Sequence, residues 1–246
     1  MTRLALVGAM HEEVAALLPC LTGVCVERRA GRDFHLGRLD GHDVIVVRSG
    51  IGKVAAATTA AVLLDAFDAS AVLFTGVAGG LHGAVRVGDV VVGRTLLHHD
   101  MDASPLFPRY EVPLTGRSRF DADDTWSARL SLAAHDVFGL PCAARACFGL
   151  EAPRLHEGLV VSGDRFVSTG AESARLRADL PDALAVEMEG AALAQVCLDF
   201  GRPFAVVRTI SDRADDQAHV DFPRFIADVA APYSRDIVRA TLRRTG

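Results

Sequence analysis

The sequence contains a single lysine, Lys53, against 25 arginines, and its 31 acidic residues outnumber its 26 basic ones. The arginine bias is typical of a GC-rich coding sequence. The net charge of −5 argues against a nucleic-acid surface, which needs a clustered positive excess. No stretch reaches the roughly 18 apolar residues of a spanning helix, and the apolar run at residues 4–10 is too short for a signal peptide. We therefore expect a cytoplasmic protein that binds neither nucleic acid nor a membrane.

The cysteines are few, odd in number and without a CxxC pair: Cys20, Cys25, Cys142, Cys147 and Cys197. Cys142 and Cys147 have no histidine nearby in sequence, as a zinc site would require. The run His98-His99-Asp100-Met101-Asp102 has metal-binding residue types. However, neighbouring residues on a strand face opposite sides, so the two histidines cannot easily share an ion. We expect reduced thiols and no metal.

The 246 residues are 50% hydrophobic, with a mean hydropathy of +0.25, which excludes disorder as the main state. Continuous apolar runs predict strands covered on both faces. They alternate with helical patterns, which predicts an α/β fold with helices on both sides of a central mixed, mostly parallel sheet. We see no linker and expect one domain over residues 1–246. Predicted strands cover residues 4–8, 43–48, 71–75, 89–97, 159–162, 183–188 and 204–210, and predicted helices 53–67, 124–137, 171–178, about 189–200 and 222–243.

Two glycine-rich segments follow predicted strands. Residues 50–55 fit a loose G-x-G-x-x-A pattern, but the next strand ends in Thr75-Gly76 and not in the acid that would hold ribose hydroxyls of a dinucleotide. We interpret that segment as a tight turn. Residues 76–80, with three glycines, predict a turn at which backbone amides can approach a ligand closely.

Carboxylates follow three predicted strands. Glu12 and Glu13 come after the first, Glu187 and Glu189 after a later one, and Asp212 after the last. Ligands of such sheets bind at the carboxyl ends of the strands. Charged groups beside apolar runs are costly unless they are paired or used, so three groups together indicate a site with acid and base chemistry.

Six motifs in order resemble the 5′-methylthioadenosine/S-adenosylhomocysteine nucleosidase family of the nucleoside phosphorylase superfamily. The resemblance covers nearly the whole chain, and the six motifs together are highly specific although each is weak alone. They are Val7-Gly8-Ala9-Met10-x-Glu12-Glu13-Val14, Ser49-Gly50-Ile51-Gly52-Lys53-Val54, Thr75-Gly76-x-Ala78-Gly79-Gly80, Ser162-Gly163-Asp164-x-Phe166, Val186-Glu187-Met188-Glu189 and Arg208-x-Ile210-Ser211-Asp212.

The resemblance implies hydrolysis of the N-glycosidic bond of adenine nucleosides in methionine salvage, with no cofactor. Glu13 resembles the base that activates water, and Asp212 the acid that protonates N7 of adenine. Glu189 resembles the residue that binds the ribose hydroxyls. The remaining implied substrate contacts are Met10, Ile51, Val77, Ala78, Gly79, Phe166 (stacking on the purine), Val167 (reading its edge), Glu187, Met188 and Ser211. The family's enzymes are homodimers, which makes Phe107, within the segment 104–108, a candidate to close the neighbouring subunit's 5′ pocket.

The sequence departs from the family pattern at Val77, where a small polar residue is frequent, and in the loop 100–115. Both bear on the 5′ substituent and the ribose, so a futalosine-type hydrolase stays an alternative. A nucleoside phosphorylase is a second alternative, since Thr75, Arg208 and the amides of residues 77–80 could form an anion site. Val77 offers no side-chain donor, and Glu13 would repel phosphate. The sequence therefore favours hydrolysis.

Overall fold

The computed structural model describes residues 3–139, 147–150, 152–214 and 222–245. Ten strands are found there: β1 (Arg3–Gly8), β2 (Thr22–Arg29), β3 (Arg32–Leu39), β4 (His42–Arg48), β5 (Ala69–Gly80), β6 (Val90–His98), β7 (Phe120–Asp121), β8 (Leu155–Ser162), β9 (Ala183–Glu187) and β10 (Phe204–Asp212). The helices are α1 (His11–Ala15), α2 (Lys53–Asp65), α3 (Asp124–Phe138), α4 (Gly170–Asp179), α5 (Gly190–Asp199), α6 (Phe222–Phe225) and α7 (Ala231–Arg243), with a 3-10 turn at Leu18–Cys20 and a π-helical segment, Ile226–Ala230, between the last two.

All ten strands belong to one mixed sheet, which confirms the predicted α/β fold. Five of the ten strand pairings are parallel, a smaller share than the sequence predicted. Two of the five antiparallel pairings join β2, β3 and β4, which form a meander at one edge of the sheet. At the other end, β5 pairs with both β9 and β10, so the strands β5, β10, β6, β8 and β9 close into a small barrel.

The core lies on both faces of the sheet, as the continuous apolar strands predicted. In β1, Ala5 and Val7 face one side, where α2 and α5 pack, while Leu4 and Leu6 face the side of α3 and α7. This is the period of two that a strand imposes on its side chains. The sheet is therefore covered on both faces, and its strand ends are the places where a cavity can open.

The hairpin of β2 and β3 was missed by the sequence analysis. Nearly every residue of β2 is exposed, so the strand lacks an apolar pattern. Its turn, Ala30-Gly31, and the next turn, Asp40-Gly41, both have two successive positive φ angles. Such turns favour Gly in the second position, and the Asp-Gly dipeptide is a strong hairpin signal that was available in the sequence.

The glycines at 76–80 do not form a turn after a strand. They continue β5 to Gly80, because β10 pairs alongside them and β9 joins at Gly79 and Gly80. The described cysteines are free thiols, and Cys142 lies outside the described residues. Burial raises the pKa of Cys197 to about 12, so this thiol is unreactive. No helix in the described part of the chain is both long and apolar enough to cross a membrane.

Candidate active site

A cavity opens where β1, β5, β8, β9 and β10 end. About 660 Å³ of space there is free of protein atoms, part of it open to solvent, which is within the range of small-molecule sites. Eleven of the twelve predicted substrate contacts and both predicted catalytic residues line it. The lining residues are Ala9, Met10, Glu13, Ile51, Val77, Ala78, Gly79, Arg165, Phe166, Val167, Val186, Glu187, Met188, Glu189, Ser211, Asp212 and Phe222.

Glu13 lies in α1, directly after β1, and is only 4% exposed. Its Oε2 atom accepts hydrogen bonds from the amides of Ala9 (2.5 Å) and Met10 (2.9 Å), and Oε1 accepts one from Val77 (3.1 Å). Burial raises the pKa of Glu13, although the charge of Arg208 and the three amides pull it down. Glu12 points to solvent, so Glu13 is the acid of this pair that faces the cavity.

Gly76 and Gly8 make room for the Glu13 carboxylate. A Cβ on Gly76 would stand 2.6 Å from Glu13 Oε1, and one on Gly8 would stand 2.9 Å from its Cβ. Side chains at these two positions would displace the carboxylate. These two glycines of the sequence motifs are therefore needed because they leave space for the Glu13 side chain, and not because they form a turn.

Glu189 lies at the start of α5 and is also buried. Its Oε1 atom accepts a hydrogen bond from the Gly52 amide at 2.7 Å. Burial, followed by the neighbouring Glu187 carboxylate, raises the pKa of Glu189 to about 8. Glu189 thus lines the cavity with its Oε1 atom held by the amide of the residue that precedes α2.

Glu187 and Arg208 form a buried ion pair beneath the cavity wall, with Arg208 Nη2 donating to Glu187 Oε2 at 2.8 Å. Glu187 also accepts hydrogen bonds from Ser162 Oγ and from the amides of Glu189 and Gly190. Arg208 packs 4.0 Å from the centre of the Phe74 ring. The sequence placed Glu187 among the substrate contacts. In the structure it lines the cavity, and its hydrogen bonds also cap α5 and neutralise Arg208.

Asp212 ends β10 and lines the same cavity. Its Oδ2 accepts a hydrogen bond from Ser211 Oγ and its Oδ1 one from the Ala214 amide, both at 2.7 Å. Phe166 also lines the cavity and is 41% exposed, with its ring 6.2 Å from the ring of Phe222 at an interplanar angle of 69°. An aromatic face and a carboxylate in one cavity suit a flat heterocycle with a basic nitrogen.

Phe107 does not line the cavity of its own chain. Conversely, the sequence analysis did not select Ala9, Arg165, Val186 or Phe222, all of which line it. The first three lie inside or beside the quoted motifs and could have been found there. No motif in the sequence around Phe222 marks it as a site residue, because it belongs to α6, which is distant in sequence from the other lining residues.

The described part of the chain offers no metal centre. No group of three or more His, Cys, Asp or Glu side chains that could hold an ion occurs among the described residues. His98 Nε2 instead lies 3.2 Å from Gln195 Oε1, and its ring packs edge-on against Phe120.

Comparison with known proteins defines the class first: residues 3–243 match the phosphorylase superfamily. A nucleosidase of Geobacillus kaustophilus, named for 5′-methylthioadenosine and S-adenosylhomocysteine, is 38% identical over 97% of this chain and 95% of its own. The Neisseria meningitidis nucleosidase of the same name, solved with methylthio-immucillin-A, superposes with a TM-score of 0.89 at 34% identity, covering 99% of this chain and 100% of its own. Futalosine hydrolase of Helicobacter pylori superposes with a TM-score of 0.85 at 31% identity, covering 99% and 98%.

The chain belongs to the phosphorylase superfamily and, within it, to the family of 5′-methylthioadenosine/S-adenosylhomocysteine nucleosidases. Enzymes of this family are N-ribosyl hydrolases. The family resemblance expected from the six sequence motifs is confirmed.

Proposed function

We propose that the protein hydrolyses the N-glycosidic bond of 5′-methylthioadenosine and S-adenosylhomocysteine, releasing adenine and the corresponding 5-thioribose. The observation that carries this proposal is the meeting of three carboxylates, Glu13, Glu189 and Asp212, around one cavity beside Phe166. Each carboxylate has a distinct environment, and this allows a base, a ribose acceptor and an acid to coexist.

Glu13 is the base of this mechanism. Water is a weak nucleophile, and a carboxylate with a raised pKa takes its proton more readily near neutral pH. Three backbone amides fix the Glu13 oxygens. The water is thereby directed at the anomeric carbon as positive charge develops there, in an oxocarbenium-like transition state.

Asp212 is the acid. Adenine leaves poorly as an anion, and a proton delivered to N7 neutralises it as the bond breaks. The Ser211 hydroxyl and the Ala214 amide hold the carboxyl group in one orientation. Phe166 stacks on the purine, and the backbone of Val167 reads its edge.

Glu189 accepts hydrogen bonds from the 2′ and 3′ hydroxyls of the ribose. Met188 and Met10 pack against the sugar and its 5′ group, with Ile51, Val77, Ala78 and Gly79 completing the wall. Glu187 contributes by keeping Arg208 neutralised below the site.

Hydrolysis is favoured over phosphorolysis because the donors of an anion site are already engaged. The Val77 amide donates to Glu13, Arg208 donates to Glu187, and Thr75 Oγ1 donates to Ser234 Oγ at 2.8 Å. A phosphate dianion needs hydrogen-bond donors around it, and here it would instead face the negatively charged Glu13 carboxylate.

The test of substrate identity is incubation of the enzyme with 5′-methylthioadenosine, S-adenosylhomocysteine, futalosine and inosine while free base is followed. The proposal expects release from the two adenine thionucleosides at rates well above the other two. A preference for futalosine would instead support a futalosine hydrolase. This alternative is less supported, and it rests on the structural similarity to the Helicobacter pylori enzyme.

The proposal includes a cytoplasmic homodimer built from a single-domain chain, taking part in methionine salvage and binding no nucleic acid. In it, Phe107 of one subunit closes the 5′ pocket of its neighbour. Phe107→Ala is expected to weaken 5′-thio substrates more than adenosine. Equal losses for all nucleosides, or a monomer in light scattering, would contradict the shared pocket.

A further inference from the structure

The single lysine of the chain lies at the centre of a polar cluster outside the cavity. Lys53 Nζ donates to Asp100 Oδ1 at 2.7 Å, and the Lys53 amide donates to Asp164 Oδ1 at 2.7 Å. Asp100 Oδ2 in turn accepts from the Asp164 amide at 2.9 Å. Lys53 begins α2, and Asp100 and Asp164 lie in the segments that follow β6 and β8. We call them the Lys53 staple.

The staple is well shielded for an ion pair. The side chains of Lys53 and Asp100 are 21% and 31% exposed, so water screens their charges only in part. The hydrogen bonds of Lys53 and the Asp164 amide hold the pKa of Asp100 below its usual value despite its partial burial. The Asp100 carboxylate is therefore ionised and bound on both oxygens, which makes it a fixed anchor for Lys53.

Gly52 connects the Lys53 staple to the active site. Gly52 directly precedes Lys53, and its amide is the donor that holds Glu189 Oε1 at 2.7 Å. Gly52 adopts a φ of 95°, and a Cβ there would stand 3.0 Å from Asp164 Oδ1. The residue after Gly52 is thus anchored to two aspartates, to Asp100 through its side chain and to Asp164 through its amide.

We propose that Lys53 is a positioning residue for ribose recognition: by tying α2 to Asp100 and Asp164, it aims the Gly52 amide at Glu189. This inference rests on the proposed function, since it assigns Glu189 to the ribose hydroxyls. Loss of the staple frees the first turn of α2, and the Glu189 oxygens lose their fixed orientation. The purine wall, at Phe166 and Asp212, does not depend on the Gly52 amide.

The test compares Lys53→Met with Lys53→Arg. Lys53→Met is expected to lower kcat/KM for 5′-methylthioadenosine by about tenfold, the scale of one charge-assisted hydrogen bond. Lys53→Arg keeps the cation and is expected to recover most of that loss. Binding of free adenine, which has no ribose, is expected to change by less than about twofold, because its contacts are untouched.

A double-mutant cycle with Glu189→Ala, which removes the acceptor of the Gly52 amide, identifies the route of the effect. If Lys53 acts through Glu189, Lys53→Met costs little more once Glu189 is replaced, so the two losses do not multiply. Losses that multiply, or equal weakening of adenine and nucleoside, would overturn the proposal. Should Lys53→Met not fold, Asp100→Asn carries the same test, because it removes the same ion pair from the other side.

Calorimetry separates this proposal from the proposed function. In a Glu13→Gln background, adenosine and adenine binding are compared with and without Lys53→Met, and neither measurement needs turnover. Wild-type protein that releases no adenine from any nucleoside would overturn the proposed function alone. Adenosine affinity that is unchanged by Lys53→Met would overturn the positioning role alone.

Discussion

The Glu13 carboxylate and the Val77 amide are joined by a 3.1 Å hydrogen bond that connects the turn after β1 to the end of β5. Val77 has no polar side chain, and it contributes to the site through its backbone. The departure from the family pattern at this position therefore leaves the amide contact to Glu13 intact. This contact holds the Glu13 carboxylate at the glycine-lined end of the cavity and engages the amide that a bound phosphate would need there.

Replacing Glu13 with Gln is expected to lower turnover by about 10²–10⁴-fold, the usual cost of losing a general base. Nucleoside binding should remain, because the shape of the cavity is kept. The measurement is kcat for 5′-methylthioadenosine together with calorimetric affinity. Glu12→Gln is the matched control, since Glu12 points to solvent. If Glu12→Gln costs more than Glu13→Gln, the assignment of the base is off by one residue.

Gly76→Ala is expected to displace the Glu13 carboxylate, because the new Cβ would stand 2.6 Å from its Oε1. A misplacement of about 1 Å can cost about 10²-fold in rate. Steady-state kinetics measures the loss. Gly83→Ala is the control, since a Cβ there meets nothing within 4 Å. Equal activity of the two variants would contradict the role given to Gly76.

Asp212→Asn is expected to remove the proton donor and to lower adenine release by about 10²–10⁴-fold. The asparagine oxygen can still accept the hydrogen bond of the Ala214 amide, so the fold and the purine wall should persist. Thermal unfolding and adenine affinity check this. Retention of more than about half of the wild-type turnover would mean that Asp212 is not the acid.

Nucleoside affinity is expected to rise with pH around 8. Burial and the Glu187 carboxylate raise the pKa of Glu189 to about 8, while the Gly52 amide and the charge of Arg208 oppose this shift. Only the ionised form offers both oxygens to the ribose hydroxyls, so KM falls as pH rises through the pKa. The check is KM against pH for wild-type and Glu189→Gln enzyme. A transition that survives in Glu189→Gln belongs to another group.

Much of the fold could be predicted because buried strands are visible in the sequence as continuous apolar runs. The limits of β1, β4 and β10 are close to their predicted limits, and the predicted last helix, 222–243, matches the combined span of α6, the π-helical segment and α7. The hairpin of β2 and β3 could not be found in this way, because nearly all of β2 is exposed and β3 has only two buried apolar residues, Phe34 and Leu39.

The site was predictable where acids follow strands. Glu13, Glu189 and Asp212 meet because the strands before them end at the same edge of the sheet. The contribution of Phe222 was not predictable, since it depends on where a distant helix packs. The closure of the barrel through Gly79 and Gly80 was not predictable either. Glycines after a strand suggest a turn when the sequence shows no strand that could pair with them.

The most direct test of the account is product analysis after digestion of 5′-methylthioadenosine in phosphate-free buffer and again with millimolar phosphate. The account predicts equal adenine release in both buffers and free 5-methylthioribose as the sugar product, since Glu13 engages the Val77 amide and its charge would repel a phosphate dianion. Adenine release that requires phosphate, with a sugar 1-phosphate as product, would contradict it.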